Sequence, residues 1–168
     1  PVAGESGSAE PPPTADPPSA AAGPDLRTDP AAVLQGLLDT RAEAWASGEL
    51  SRLLEVHAPG SFSLRQDREA LGSALADGLS YEGVSFEVGD VRVTSRFGEG
   101  EEVGAEAVLE AEVRRGGYVV VGPAEHREEV DGRRETVTLR VARTDQGWRL
   151  AEWSAGEEVA EGSESPRG

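Results

Sequence analysis

Residues 84–93, VSFEVGDVRV, decide the fold. Apolar side chains occupy every second position from Val84 to Val88, which is the period of a β-strand with one buried face. The alternation resumes at Val91 on the opposite parity, so one extra residue lies at Gly89-Asp90. A residue inserted beside a glycine is typical of a β-bulge, which bends a strand. The stretch therefore predicts a strand of a strongly curved sheet.

Alternating apolar runs continue toward the C-terminus. They cover residues 105–113, 118–121, 137–141 and 148–153, and the turn sequences RRGG, EVDGRR and TDQG separate them. Strands joined by short polar turns pair with their neighbours, so we expect an antiparallel meander.

The last of these strands holds two of the three tryptophans of the chain. Trp148 and Trp153 are five residues apart, and on a regular strand they point to opposite faces. Trp148 shares its face with Leu150, whereas Trp153 shares its face with Arg149 and Ala151. We therefore expect Trp148 to be a core residue on the concave side and Trp153 to face outward.

The residues that precede the strands predict helices. Asp29 is a natural N-cap for a helix that begins at Pro30, and Gly48 is the expected C-terminal glycine. Its apolar face carries Leu34, Leu37, Leu38, Arg41 and Trp45 at spacings of three and four. The next helix covers ELSRLLEV at 49–56, and we expect its leucines to point inward: Leu50, Leu53 and Leu54.

A third helix is expected to begin at a capping box of Ser63 and Gln66 and to run to about Ala76. Asp67 then lies in the first turn of this helix, where a carboxylate favours the helix dipole. Helices followed by antiparallel strands indicate the α+β class. The predicted architecture is three N-terminal helices packed in a strongly curved, cone-like antiparallel sheet.

Composition excludes several kinds of function. The net charge of −16 repels phosphate backbones and anionic lipid, so neither nucleic-acid binding nor direct membrane-surface binding is expected. The absence of cysteine excludes disulfides, thiol nucleophiles and thiolate metal sites. His57 and His126 lack partners at a metal-binding spacing, and there is no phosphate-binding glycine loop or serine elbow. We predict no metal and no cofactor.

The chain ends differ in composition from its middle. Residues 1–29 are rich in Pro, Ala and Ser and predict a disordered linker, residues 30–154 form the folded domain, and residues 155–168 predict a disordered acidic tail. The chain begins at Pro1 and has no methionine, so we expect it to be part of a longer product.

The order of these features resembles the nuclear transport factor 2-like superfamily, with its SnoaL-like and ketosteroid isomerase-like branches. The resemblance rests on a long helix ending in AWASGELSRLLEV, a GS break before a third helix, and a bent meander that finishes in a turn followed by GWRL. It implies a cone-shaped sheet wrapped around helices, with an open end that often holds a ligand or catalytic groups.

Lys, Ile and Asn are also absent, which favours a GC-rich, actinobacterial source.

The resemblance implies that functional residues lie near the open end of the cone. We predict ligand-binding roles for Trp45, His57, Tyr118 and Trp148, although a terminal cap explains His57 and core packing explains Trp148 equally simply. The isomerase arrangement of one tyrosine and two aspartates has no match in this sequence, so no catalytic residue is predicted.

Two classes of function remain open. The first is a non-catalytic accessory domain that binds a small apolar ligand or a protein, held on a flexible tether as the extracytoplasmic part of a membrane-anchored protein. The second is a SnoaL-like isomerase, cyclase or dehydratase that acts on a small apolar substrate. A homodimer through the outer face of the sheet, near Trp153, Ala151 and Val108, is a further expectation.

Overall fold

The computed structural model describes residues 24–98 and 102–156, so most of the predicted linker and tail lies outside the described residues. Helices come first and strands after, as predicted. The helical elements are α1 (Pro30–Ser47), a 3-10 turn (Leu50–Arg52), α2 (Leu53–Val56) and α3 (Phe62–Ala76). The strands are β1 (Ser80–Glu82), β2 (Phe86–Phe97), β3 (Glu106–Arg115), β4 (Tyr118–Val121), β5 (Arg127–Val130), β6 (Arg133–Thr144) and β7 (Gly147–Ala155), with a second 3-10 turn at Pro123–Glu125.

The strands form two antiparallel sheets. The larger has the order β2-β3-β6-β7 and the smaller the order β1-β4-β5. The α+β class, with three helices packed against a curved antiparallel sheet, is confirmed. No helix in the described part of the chain is long and apolar enough to span a membrane.

The ends of α1 follow from three residues. The Asp29 side chain accepts a hydrogen bond from the backbone N–H of Ala32, and Pro30 begins the helix without losing a hydrogen bond. Gly48 ends it with φ of 71°, a left-handed conformation that a glycine adopts without strain. The predicted limits of α1 are therefore confirmed.

The second and third helices differ from the prediction in detail. Leu54 is 50% exposed, and Val56 is buried in its place, because the segment begins as a 3-10 turn and its inward face rotates. The cap of α3 is Ser61, whose side chain accepts from the N–H of Leu64. Ser63 lies inside the helix and is buried, so the capping box predicted there is wrong.

Bulges curve the larger sheet. The register of β2 against β3 shifts between Val88 and Val91, which confirms the predicted insertion, and it shifts again between Val93 and Ser95. A third shift lies in β7 opposite Arg140 and Val141. Each bulge adds a residue to one strand and increases its twist, so the strands bend around the helices.

The bulge in β7 overturns the predicted position of Trp153. Val141 pairs with Leu150 and Arg140 with Glu152, so Ala151 is the extra residue and the parity inverts there. Trp153 is paired with buried Leu139, and paired residues share a face. Trp153 therefore packs against the core on the concave side, where Trp148 also lies, and does not face outward.

The core lies between α1 and the concave face of the larger sheet. Leucines of α1 meet alternating residues of β3, β6 and β7, and each fully buried leucine contributes about 1.5–3 kcal/mol. Leu26 is also completely buried in this core, although the sequence places it in the linker. The folded domain therefore begins before residue 30, and it extends to Gly156, whose N–H donates to Thr136.

Two residues from the helical half contact the free edges of the larger sheet. The Gln35 side chain donates to the carbonyl of Phe86 at 2.8 Å and accepts from the N–H of Val88 at 2.8 Å, on β2. At the other edge, the N–H of Ala58 donates to the carbonyl of Leu150 at 2.7 Å, on β7. These bonds fix the helices relative to both ends of the sheet.

Candidate ligand-binding cleft

A buried ion pair joins α1 to α3. Arg41 donates through Nε to Oδ2 of Asp67 at 2.6 Å and through Nη2 to Oδ1 at 2.7 Å. This is the two-bond geometry that a planar guanidinium and a carboxylate favour. Asp67 is the sixth residue of α3, because the helix begins at Phe62, so the expected first-turn role is wrong.

His57 completes this network, called here the Arg41–Asp67–His57 network. Its Nε2 lies 2.8 Å from Oδ2 of Asp67, and its Nδ1 lies 3.1 Å from Oγ of Ser63. A carboxylate only accepts, so Nε2 carries a proton, and the Ser63 hydroxyl donates to Nδ1 when the ring is neutral. His57 is 2% exposed, so both ring nitrogens are engaged away from solvent.

Asp67 is held in its ionised form. Burial alone would raise the pKa of Asp67, but the hydrogen bonds from Arg41 and His57 outweigh burial and hold the pKa well below its ordinary value. A histidine hydrogen-bonded to an aspartate and a serine resembles a hydrolytic triad in composition. Here all three side chains are buried, and the Ser63 hydroxyl cannot reach a substrate.

A cleft lies at the C-terminal half of α1. Its volume is about 110 Å³, and its walls come from α1, β1, the β1–β2 connection, the start of β2, the end of β3 and the start of β4. The lining residues are Arg41, Trp45, Tyr81, Val84, Phe86, Arg115 and Tyr118.

Aromatic rings form much of the cleft wall. The rings of Trp45 and Tyr81 meet edge to face at 5.1 Å, and those of Tyr81 and Tyr118 lie 6.1 Å apart. These separations lie in the range of favourable aromatic contacts. Burial, followed by the charge of Tyr118, raises the pKa of the Tyr81 phenol above its ordinary value, so Tyr81 stays protonated in neutral solution.

The Arg41 guanidinium is surrounded by aromatic rings as well as by Asp67. Its central carbon lies 5.8 Å from the Trp45 ring, 5.5 Å from Phe86 and 5.7 Å from Trp153. Cation–π contacts of this length stabilise a desolvated cation. Trp153 can take part only because the bulge at Ala151 brings it to the concave side.

Arg115 is the second cation of the cleft. Its guanidinium stacks on Tyr118 at 5.1 Å, but it makes no hydrogen bond or ion pair with any residue in 24–98 or 102–156. Its Nε is buried without a partner, as is Nε1 of Trp45. Two buried donors without a partner in one cleft wall are uncommon, because buried polar groups are nearly always hydrogen-bonded.

The structure brings together only some of the predicted site residues. Trp45 and Tyr118 line the cleft, whereas His57 is enclosed in its own network. Trp148 is buried in the core and lines a separate cavity of about 70 Å³. Ligand binding at Trp45 and Tyr118 stays a prediction, and His57 and Trp148 lie outside the cleft that these two share.

Tyr81, Phe86 and Arg115 were not predicted as site residues from the sequence. A signal existed for Arg115, because it has the inward parity of Ala111 and Val113 in β3, and a charged residue on a buried face is uncommon. No group of three or more His, Asp or Glu side chains in the described segments is placed to hold a metal ion.

Comparisons with known proteins bear on the fold. No protein-family model matches the chain, and no curated protein matches it at a significant level. The intermembrane-space region of the chloroplast protein ARC6 is 18% identical, with a TM-score of 0.52 over 78% of this chain and 95% of that one. A candidate aromatic ring hydroxylase from Novosphingobium aromaticivorans is 17% identical, with a TM-score of 0.50 over 78% and 89%.

Proteins of the superfamily that the sequence resembles are also among the structural neighbours. A nuclear transport factor 2-like protein from Salmonella enterica is 12% identical, with a TM-score of 0.42 over 77% of this chain and 94% of that one. The architecture of helices on a curled antiparallel sheet agrees with the nuclear transport factor 2-like fold. The likeness to the two structures with TM-scores of 0.50 and 0.52 shows the fold alone, because one scaffold hosts unrelated activities.

Proposed function

We propose that this chain is a non-catalytic binding domain whose cleft takes a small, largely apolar ligand. The observation that carries the proposal is the cleft itself, in which aromatic rings from α1, β1, β2 and β4 surround a cavity of about 110 Å³. Ligand sites are typically concave and aromatic-lined, with a few polar groups. An apolar cavity of about 150 Å³ accepts benzene, so this cleft of about 110 Å³ encloses most of one ring and leaves the rest of the ligand at its opening.

The placement of the acid–base groups supports binding over catalysis. A general base needs a free site within hydrogen-bond reach of its substrate. His57 is enclosed, and Asp67 is bound by Arg41 and His57. Asp67 thus positions Arg41 as one wall of the cleft, and that is a structural task.

The second candidate is a SnoaL-like isomerase, cyclase or dehydratase. The observation in its favour is the Tyr81 phenol, which lines the cleft and stays protonated because burial raises its pKa. A protonated tyrosine can donate a hydrogen bond to a developing oxyanion. Tyr81→Phe distinguishes the two roles. If Tyr81 donates to an oxyanion, the variant should lower turnover of a small enolisable ketone about 10²–10³-fold, whereas a binding domain shows no turnover of the ketone with either residue.

The setting of the domain is also a proposal. The Pro- and Ala-rich composition of residues 1–23 favours a flexible tether, and with it an extracytoplasmic position on a membrane-anchored protein from an actinobacterium. A homodimer is proposed through the outer face of the larger sheet. There Val108 is flanked by acidic residues of β3 and paired with Arg140 of β6, so opposite charges can meet across a twofold axis.

Binding in the cleft can be tested by NMR. We expect toluene, a neutral single ring, to shift the backbone signals of Tyr81, Val84 and Tyr118. Val84→Phe fills the cleft and should weaken toluene binding at least about tenfold, which is about 1.4 kcal/mol. Val103→Phe is the matched control, because Val103 lies in the exposed turn at the opposite end of the β2–β3 hairpin.

Two results would contradict the proposed site. The first is a set of toluene-induced shifts that clusters outside the cleft. The second is toluene binding to Val84→Phe that matches binding to Val103→Phe.

A further inference from the structure

The charge of the cleft is set by Arg115. The chain carries a net charge of −16, with twice as many acidic as basic residues, so an arginine finds a carboxylate easily. Arg114, its neighbour in β3, lies 3.1 Å from Glu87 on the outer face. Arg115 has inward parity and makes no ion pair with any residue in the described segments. Desolvating a cation without a counterion costs free energy, and an anion bound to Arg115 would offset that cost.

The other cation of the cleft does not compete for that anion. Both oxygens of Asp67 bind Arg41, so the charge of Arg41 is neutralised within the protein. Counting the residues of 24–98 and 102–156, the cleft therefore holds one positive charge that no carboxylate neutralises. It matches a ligand with one negative charge, and a carboxylate is the anion whose two oxygens fit a guanidinium.

The rest of the cleft fits a flat apolar body. Trp45, Tyr81 and Tyr118 form a continuous series of ring contacts, and the volume of about 110 Å³ encloses most of one ring, with the remainder at the opening of the cleft. Rings stack on aromatic walls and exclude water around a nearby charge pair, which strengthens that pair.

We propose that the cleft binds a small aromatic carboxylate, with its ring against Trp45, Tyr81 and Tyr118 and its carboxylate on the guanidinium of Arg115. This inference rests on the proposed binding function and names the chemical class of the ligand. Arg115 then discriminates between charged and neutral rings, and the aromatic walls discriminate between flat and bulky acids.

Benzoate is the probe, and benzamide is the neutral match of nearly the same shape. In calorimetric and NMR titrations, we expect benzoate to bind the cleft at least about tenfold more tightly than benzamide. Cyclohexanecarboxylate has the same charge but no flat ring, and it should also bind more weakly than benzoate.

Two neighbouring arginines on opposite faces of β3 give matched variants. Arg115→Gln should weaken benzoate binding about tenfold to a hundredfold and leave benzamide binding unchanged. Arg114→Gln removes the same charge from the outer face and should leave both affinities unchanged. Equal losses in the two variants would mean that benzoate responds only to overall charge, and would overturn the role of Arg115.

The remaining outcomes separate this inference from the proposed function. If benzamide binds the cleft as tightly as benzoate, the carboxylate assignment fails and the binding function stands. If toluene shifts the signals of Tyr81 and Tyr118 but benzoate does not, only the carboxylate assignment fails. If none of the three rings shifts these signals, both proposals fail. A tetrapeptide that ends in phenylalanine offers a ring and a carboxylate on a protein chain. Tighter binding of this peptide than of benzoate would overturn the assignment to a small molecule.

Discussion

Replacing Asp67 by asparagine tests whether the Arg41–Asp67–His57 network holds the helices together. The variant keeps the side-chain volume but removes the charge that accepts from Arg41 at 2.6 and 2.7 Å and from His57 at 2.8 Å. Hydrogen bonds to a charged group are worth about 1.5–3 kcal/mol each, and breaking a buried ion pair costs about 3–5 kcal/mol.

The exposure of the two partners sets the expected value. The Asp67 side chain is 11% exposed and the Arg41 side chain 22%, so Arg41 recovers some hydration when its partner is lost. Arg41 also keeps its contacts with three aromatic rings. We therefore expect Asp67→Asn to lower the free energy of unfolding by about 2–4 kcal/mol. Urea denaturation followed by circular dichroism measures this free energy, and its slope against urea concentration (the m-value) should be the same in both proteins.

A surface ion pair of the same length supplies the control. Arg52 Nε lies 2.6 Å from Oε2 of Glu49, but these side chains are 40% and 55% exposed. Exposed pairs contribute about 0–1 kcal/mol, so Glu49→Gln should have little effect. If Asp67→Asn costs no more than Glu49→Gln, the network does not stabilise the fold and the reasoning from burial is refuted.

Three further predictions concern pH, the tryptophans and the outer sheet face. The pKa of Asp67 in the folded protein lies below its value of about 3.9 in the unfolded chain. The ionised Asp67 therefore stabilises the fold fully above about pH 3.9, and this contribution is lost as pH falls through the folded pKa. The difference in unfolding free energy between the wild type and Asp67→Asn should shrink below about pH 4. Trp148→Ala should lower the free energy of unfolding by about 3–5 kcal/mol, and Trp153→Ala should lower it by at least about half as much. If Trp153→Ala lowers it by less than about 0.5 kcal/mol in a urea melt, Trp153 does not pack against the core. Sedimentation at micromolar concentration should show a dimer that Val108→Glu dissociates, and a monomeric wild type would reject the outer-face interface.

The sequence predicted the first bulge in β2 but not the one in β7, although the spacing of the large apolar residues shifts by one in both. Val88 and Val91 break an alternation beside a glycine, so the insertion was apparent. In β7 the apolar positions are Trp148, Leu150 and Trp153, which also skip one residue. Because Ala151 is small and apolar, it fits either face of the sheet, and the sequence is compatible with a regular strand. Only the pairing of β7 with β6 shows that Ala151 is the inserted residue.

The site was less predictable than the fold because its contacts are distant along the chain. Arg41 lies on an apolar stripe, and His57 at the end of a helix, where a terminal cap was sufficient to explain it. Their common partner, Asp67, lies 26 residues from Arg41 and 10 from His57. Helix propensity and strand alternation describe neighbours, whereas such a network depends on how α1 and α3 dock.

The contacts of Gln35 and Ala58 have a consequence for how the domain behaves among other chains. An open sheet has two edges whose unpaired N–H and C=O groups can template strand addition and aggregation. On β2 the side-chain amide of Gln35 takes the place of a neighbouring peptide group, because it donates to the carbonyl of Phe86 and accepts from the N–H of Val88. On β7 the N–H of Ala58 donates to the carbonyl of Leu150. Each edge is thus obstructed at a single point by the protein's own groups. A strand of a second chain could extend the sheet at these points only by displacing the bonds from Gln35 and Ala58.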